Sequence, residues 1–222
     1  MLQKVFGLVV HLCLRLSSIF MANKYSESDY WTQKAKADGY PARSVYKLEE
    51  MNRKFSLFST SAKVLDLGAA PGSWTSYLLR ALNDRGRVVS IDLKALDEKI
   101  KDERLTFIQG DLTSQKIIKQ VESYGLFDAV LCDAAPYTTG NKSVDVASQN
   151  YLVELAVFYA QKMLISNGSF VVKVFQGGNI KPLLDSLRKS FSLIRTFKPE
   201  ACRKNSVETY IIGKDFKKIS EI

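Results

Sequence analysis

The chain has 222 residues and a formal net charge of +9, from 32 basic and 23 acidic side chains. Hydrophobic residues make up 46% and charged residues 25%, which is typical of a globular chain with its own core and excludes a largely disordered one. Three cysteines exclude a disulfide framework, and a single histidine, His11, argues against a Ser-His-Asp triad or a His-ligated metal. We therefore expect a reducing compartment, no metal, and chemistry based on Lys, Asp, Glu, Tyr or backbone groups.

Residues 1–24 are basic and contain no acidic side chain. Their apolar run, residues 5–20, is interrupted by two basic residues and is shorter than the ~20 residues of a membrane span. We interpret this segment as a leader or an over-called extension, with Met21 as the true start. Alternatives are an organelle transit peptide and an interfacial membrane helix. We expect one catalytic domain over residues 25–222, in the cytoplasm, or in an organelle matrix if the segment is a transit peptide.

The rest of the chain alternates helical and extended patterns. Two helices are predicted first, over residues 26–38 and 44–55. Short apolar runs predict five buried strands, over residues 63–68, 87–92, 105–110, 127–133 and 169–175. Helices are predicted between or after them, over residues 74–82, 114–124, 144–163 and 181–190. Two final strands, residues 192–199 and 207–213, are expected to close the edge of the sheet. Strands that alternate with helices predict an α/β fold, with a mostly parallel seven-stranded sheet covered by helices on both faces.

Polar residues follow the predicted strands where each strand ends. The loop GAAPG, residues 68–72, follows the first strand, and Asp92, Asp111 and Asp133 follow the next three. The fifth strand carries Lys173. Because ligands of open parallel sheets bind beyond the carboxyl ends of the strands, these residues predict a binding site.

The glycine loop favours a nucleoside without phosphates. Gly68 and Gly72 allow a ligand to approach the backbone, but the loop lacks the G-x-G-x-x-G spacing of dinucleotide sites, and Pro71 removes an N–H donor. Asp92 is placed to accept hydrogen bonds from ribose hydroxyls, and Asp111 from an adenine amine. S-adenosylmethionine has a ribose diol, an adenine amine, a cationic sulfonium and no phosphate, so these residues predict it as the cofactor. Each acid taken alone could equally be a turn or cap residue.

Positive charge is concentrated toward the C-terminus. Residues 173–222 contain 11 Lys and Arg but 5 Asp and Glu, a net charge of +6. Such an excess suggests a polyanionic partner, most commonly nucleic acid, and composition alone leaves a solvated basic surface as an equal alternative.

Five motifs in order resemble the FtsJ family of RNA ribose 2′-O-methyltransferases: ARSVYKL, VLDLGAAPGSW, CDAAP, FVVKVFQG and SVETY. The resemblance covers residues 25–214 and implies a Rossmann-like S-adenosylmethionine-dependent methyltransferase fold. It also implies a catalytic tetrad of Lys47, Asp133, Lys173 and Glu208. The cofactor positions it implies are Gly72, Trp74, Asp92, Asp111 and Asp133. Two residues depart from the family pattern, Ser73 in place of a glycine and Tyr137 in place of Asn or Asp.

The residues themselves support part of this tetrad. A lysine in a buried parallel strand is costly without a role, so Lys173 is a candidate base or positioning group for a ribose hydroxyl. The alternative is a lysine without a catalytic role that lies in the strand and is paired with a carboxylate. Glu208 could equally be an outward-facing acid on an edge strand, and Lys47 depends on the resemblance.

The predicted reaction is 2′-O-methylation of a ribose in RNA, with the A-loop uridine of large-subunit (23S-type) ribosomal RNA as first target. Naked RNA and the assembled large subunit are both possible substrates. Alternatives are a tRNA ribose methyltransferase, a base, protein or small-molecule methyltransferase, and a non-catalytic RNA-binding protein. We expect a monomer without stable membrane association.

Overall fold

The structure is a computed structural model that describes residues 30–136, 139–176, 180–203 and 206–218. The predicted leader, residues 1–24, lies outside the described residues, as does the predicted start of the first helix. The described residues form six helices: α1 (Tyr30–Ala37), α2 (Val45–Phe55), α3 (Ser73–Ala81), α4 (Gln115–Ser123), α5 (Lys142–Met163) and α6 (Lys181–Ser190). Their seven strands are β1 (Lys63–Leu67), β2 (Arg87–Asp92), β3 (Leu105–Gln109), β4 (Phe127–Cys132), β5 (Leu164–Phe175), β6 (Phe191–Phe197) and β7 (Glu208–Phe216).

The strands form one sheet in the order β3-β2-β1-β4-β5-β7-β6. Strands β1 to β5 pair in parallel, whereas β7 runs antiparallel between β5 and β6. The predicted mostly parallel seven-stranded sheet is therefore confirmed. The two final strands were expected to close the edge of the sheet. Only β6 is the edge strand on that side, because β7 pairs with β5 and with β6.

Helices cover both faces of the sheet, as predicted. Strand β1 shows the reason, since Leu65 and Leu67 pack into the core under α4, α5 and α6, while Val64 packs into the core under α2 and α3. Successive side chains of a strand point to opposite faces, so a strand that is buried on both faces consists of one continuous apolar run. No helix within the described ranges is long and apolar enough to cross a membrane.

Strand β5 begins five residues before its predicted start at residue 169. Leu164 pairs with Phe127 at the start of β4, and the register shifts before Ser169 pairs with Ala129. Between these pairs Asn167 has a φ of 66°, in the left-handed region that asparagine tolerates better than most residues. A polar stretch interrupts the apolar pattern there, which is why the sequence pattern predicts the later start.

Candidate active site

Four of the predicted strand-end residues line one cavity. Gly68 follows β1, Asp92 ends β2, Asp111 follows β3 and Asp133 follows β4, and all four line a cavity of about 310 Å³. The parallel strands end at the same edge of the sheet, so side chains distant in sequence meet there. The structure thus brings together residues that the sequence analysis placed only by their strand ends.

The cavity combines carboxylate acceptors with apolar walls. Asp92 accepts hydrogen bonds from the backbone N–H groups of Ala70 at 3.0 Å and Lys94 at 2.8 Å. Asp111 uses Oδ1 to accept from the backbone N–H and the hydroxyl of Thr113. A carboxylate offers about four lone-pair sites, so both acids retain acceptor capacity toward a ligand. The apolar walls are formed by Leu93, Leu112, Leu152 and Leu155.

This donor set fits a nucleoside. Carboxylates suit the hydroxyls of a ribose diol and the exocyclic amine of adenine, and leucine side chains suit the faces of the base. Lys94 is the one cation among the described residues that line the cavity, so they include no lysine cluster that would hold phosphates. A nucleoside without phosphates, such as S-adenosylmethionine, therefore fits this lining.

Glycine is required at position 68 by close packing. Gly68 has a φ of +74°, and a Cβ at this position would lie 2.6 Å from the Cβ of Ala134. The loop after β1 therefore packs directly on the loop after β4, which carries Asp133. A side chain at position 68 would displace one loop or the other.

Two predicted cofactor residues lie outside the cavity lining. Gly72 precedes α3 with a φ of +109°, and a Cβ there would lie 2.2 Å from the Cδ1 of Ile100. Trp74 is buried in the core, and its indole N–H donates to the backbone oxygen of Ser44 at 2.9 Å. Gly72 therefore packs against the segment between β2 and β3, and Trp74 contacts the residue that precedes α2. Their assignment to the cofactor stays a prediction.

Lys173 and Asp133 form an ion pair beside the cavity. The ammonium of Lys173 lies 3.1 Å from Oδ1 of Asp133 and donates to its backbone oxygen at 2.5 Å. Only 7% of Lys173 is exposed. Asp133 therefore connects the cavity to a buried cation on β5.

Lys47 and Glu208 form a second ion pair, with 2.8 Å between Nζ and Oε1. Glu208 begins β7 and pairs with Phe175 at the end of β5. Because β7 is antiparallel, its first residue lies at the carboxyl edge of the parallel strands. Glu208 is therefore on an interior strand, and the alternative of an outward-facing acid on an edge strand is wrong.

Tyr210 links the two ion pairs, and the sequence analysis missed it. Its hydroxyl donates to Oδ1 of Asp133 at 2.7 Å, and the ammonium of Lys47 lies 6.0 Å from its ring centroid. Burial and the nearby Asp133 and Glu208 carboxylates raise the pKa of Tyr210 well above its ordinary value, so the phenol remains a donor. Its position two residues after Glu208 could have indicated it, because residues two apart in a strand point to the same face of the sheet.

The carboxyl of Asp66 lies in β1, fully buried behind the site. Its Oδ2 accepts a hydrogen bond from the hydroxyl of Thr75 at 2.7 Å, while Oδ1 has no partner. Burial, opposed by the Thr75 hydrogen bond and reinforced by Asp133 and Asp92, raises its pKa to about 7. The sequence analysis assigned no role to this residue.

One of the two departures from the family pattern lies within the described residues. Ser73 is buried at the start of α3, and its hydroxyl has no hydrogen-bond partner. Tyr137 lies outside the described residues. Within the described ranges, no group of three or more His, Cys, Asp or Glu side chains could hold a metal ion, and the expectation of metal-free chemistry stays a prediction.

Comparison with known proteins identifies the family. The sequence pattern of FtsJ-like methyltransferases matches residues 40–216. The chain belongs to the FtsJ-like methyltransferase family. Ribosomal RNA large subunit methyltransferase E of Treponema denticola is 64% identical over 195 residues, which cover 88% of this chain and 98% of that protein. The enzyme of the same name from Treponema pallidum is 42% identical over 195 residues, covering 88% of this chain and 97% of its own.

Solved structures agree with the fold. A Plasmodium falciparum chain, whose crystal structure is described as that of a ribosomal RNA methyltransferase, superposes with a TM-score of 0.69 at 25% identity. The match covers 80% of this chain and 98% of that one. Human methyltransferase-like protein 13, solved with S-adenosylhomocysteine (SAH), has a TM-score of 0.56 at 13% identity and covers 76% and 82% of the two chains. The predicted family and the Rossmann-like methyltransferase fold are confirmed.

Proposed function

We propose that this FtsJ-like methyltransferase transfers a methyl group from S-adenosylmethionine to the 2′-hydroxyl of a ribose in large-subunit ribosomal RNA. One observation carries the proposal: the Lys173–Asp133 and Lys47–Glu208 ion pairs meet through Tyr210 beside a cavity suited to a nucleoside. Two buried lysines held by carboxylates match the requirements of a hydroxyl substrate, which must be oriented and must lose a proton.

The cofactor would be held by Asp92 at its ribose and by Asp111 at its adenine, with Asp133 nearest the reacting end. When bound, S-adenosylmethionine supplies an electrophilic methyl group. A ribose hydroxyl placed near Lys173 would accept this methyl group, with cleavage of the methyl–sulfur bond, and its proton would pass to the protein or to solvent. Positioning of this kind can supply ~7–11 kcal/mol of the barrier.

Lys173 would act directly on that hydroxyl. In the structure its ammonium donates to two oxygens of Asp133, which orients Nζ toward the junction of the cavity and the second ion pair. In its neutral form Lys173 would take the proton from the hydroxyl. In the charged form Lys173 would instead hold the hydroxyl oxygen in line with the methyl group.

The specific target proposed is the A-loop uridine, in free ribosomal RNA or in the assembled large subunit. The names of the Treponema relatives support large-subunit ribosomal RNA as the substrate class. A tRNA ribose is the second candidate. Methylation of a base or a protein is disfavoured, because methyl transfer to an amine has no need of the buried Lys173. We also infer a monomer in the cytoplasm.

The test is a map of ribose methylation. Large-subunit ribosomal RNA, assembled large subunits and tRNA from cells lacking this gene would be incubated with the purified protein and S-adenosylmethionine. Methylated riboses would be scored by resistance to alkaline cleavage and methylated bases by nucleoside analysis. One new resistant ribose in the A-loop is expected, and it should be absent when the Lys173→Ala variant is used. A methylated base, or a methylated tRNA with unmodified ribosomal RNA, would overturn the proposal.

A further inference from the structure

A second cavity, of about 610 Å³, lies on the flank of the molecule between α1, α3 and the segment that joins β2 to β3. We call it the flank cavity. Its lining contains five basic side chains: Lys36, Arg43, Arg80, Lys99 and Lys101. Neither the strand-end residues nor the four tetrad residues line it. A basic cavity of this size needs an explanation that methyl transfer does not supply.

The charge of the flank cavity is only partly neutralised by protein groups. The lining contains two carboxylates, Asp97 and Asp102, and Asp102 is already paired with Arg104 at 2.6 Å. Three of the cations, Lys36, Lys99 and Lys101, are exposed and form no ion pair with another described residue. Clustered like charges repel each other, so a bound polyanion would relieve this repulsion.

The flank cavity adjoins the site through Arg43. This residue lines the cavity, lies four positions before Lys47, and donates to the backbone oxygen of Ala201 at 2.5 Å. Burial, reinforced by Arg203 and opposed by Glu208, lowers the pKa of Arg43. A chain-like ligand that leaves the tetrad past Arg43 would therefore enter the flank cavity.

An aromatic ring in the lining of the flank cavity favours nucleic acid among the polyanions that could bind there. The guanidinium of Arg80 lies 4.0 Å from the ring centroid of Tyr40, and both residues line the cavity. Lysines interspersed with an aromatic ring and a planar cation are typical of surfaces that bind nucleic-acid backbones.

We propose that the flank cavity binds backbone phosphates of the RNA strand that flanks the target nucleotide. The inference rests on the proposed function, because it takes RNA as the substrate. The target ribose occupies the tetrad, and the adjoining strand runs past Arg43 along α3. Lys36, Lys99 and Lys101 then neutralise phosphates outside the target nucleotide.

The test compares two triple variants of the full chain. The first, Lys36→Gln/Lys99→Gln/Lys101→Gln, removes the three cations without an ion-pair partner from the flank cavity. The control, Lys116→Gln/Lys119→Gln/Lys189→Gln, removes three exposed lysines from α4 and α6 and has the same net charge. Binding of unmodified large-subunit ribosomal RNA would be measured over a range of salt concentrations, and cofactor binding by calorimetry.

The flank variant should bind RNA more weakly, with the log–log salt slope reduced in magnitude by about 2, at ~0.7 per lost contact to a single strand. Its affinity for S-adenosylmethionine should match that of the wild type, and the control variant should keep the wild-type salt slope. Equal losses in both triple variants, or no loss in the flank variant, would overturn the inference.

The readout separates this inference from the proposed function. If the wild type methylates a ribose but the flank variant binds RNA normally, the flank assignment fails and the function stands. If the wild type methylates a base while only the flank variant loses RNA affinity, the function fails and the flank cavity stands as an RNA site. If the wild type binds neither free ribosomal RNA nor the assembled large subunit, both are overturned.

Discussion

Lys173 donates to two oxygens of one residue, the carboxylate and the backbone carbonyl of Asp133, at 3.1 and 2.5 Å. This double contact fixes the ammonium more firmly than a single ion pair would. It also requires that β4 ends where it does, since both oxygens belong to the first residue after that strand.

Substituting Lys173 should separate catalysis from cofactor binding. We expect Lys173→Ala to lower single-turnover methyl transfer by at least 10²–10⁴-fold, because both proton transfer and hydroxyl placement are lost. Cofactor affinity should be nearly unchanged. Lys173→Arg should not restore activity, since a guanidinium stays protonated and has a different shape.

Lys214 provides the control for this experiment. Its ammonium also donates to protein oxygens, the backbone oxygen of Ser56 and the hydroxyl of Ser169, at 2.6 and 3.0 Å. Lys214→Ala should retain activity in the folded fraction. More than about a tenth of wild-type activity in Lys173→Ala, well inside the expected loss, would contradict the role proposed for Lys173.

Asp92 should contribute directly to cofactor affinity. We expect Asp92→Ala to weaken S-adenosylmethionine binding by about 1.5–3 kcal/mol, as for a hydrogen bond to a charged group, measured by calorimetry. Asp97→Ala is a matched control. Each aspartate accepts a hydrogen bond from the backbone N–H two residues further on, but Asp97 does not line the cavity at the strand ends. Equal affinity in both variants would reject Asp92 as a cofactor ligand.

At the scale of elements, the site depends on the contact between two loops. Gly68→Ala would place a Cβ 2.6 Å from that of Ala134 and would hold a φ of +74° with a side chain. We expect a loss of about 2–5 kcal/mol of stability, from backbone strain of ~1–2 and steric overlap of ~1–3, measured by denaturant unfolding. Cofactor affinity should fall as well, since Asp133 lies on the displaced loop.

Gly125→Ala separates the two contributions to that loss. Its φ is +80°, but the nearest atom to an added Cβ is the Lys63 ammonium nitrogen at 3.9 Å. The variant should therefore pay the backbone strain alone and bind cofactor normally. If Gly68→Ala and Gly125→Ala lose equal stability, the loop contact contributes little.

At the scale of the whole molecule, Asp66 should make stability depend on pH. Its pKa of about 7 in the folded state lies above the ordinary 3.8, so between about pH 4 and pH 7 the unfolded carboxyl ionises while the folded one keeps its proton. Stability therefore falls as pH rises through this window, by on the order of 4 kcal/mol in total. Asp66→Asn should remove this dependence in urea unfolding, and an unchanged pH dependence would contradict it.

The charge of +9 should govern RNA binding. Basic residues that flank the site are candidate phosphate contacts: Arg43, Lys181, Arg203 and Lys204, of which Lys204 lies outside the described residues. RNA affinity should fall steeply with salt, and neutralising Lys181 or Arg203 should each reduce the magnitude of the log–log slope by up to ~0.9. If RNA affinity does not change with salt concentration, the net charge contributes to solubility and not to RNA binding.

The sequence by itself determined the order of the elements and the edge at which the site lies. Apolar runs mark buried strands, and the residues after them must lie at the carboxyl edge of a parallel sheet, so Asp92, Asp111 and Asp133 could be assigned to one cavity before any coordinates. The five motifs predicted the family. Asp133 and Lys173 were indicated by their strands as well, whereas Lys47 and the role of Glu208 depended on that resemblance.

Only the tertiary structure decided how these residues are partnered. The antiparallel insertion of β7 beside β5 brings Glu208 to Lys47 and Tyr210 to Asp133. The flank cavity likewise depends on α1 lying across from the segment before β3. Local periodicity reports which face of a strand or helix is buried, but it carries no information on which distant element covers that face. Partners so far apart in the chain are selected by strand pairing and packing in the folded molecule.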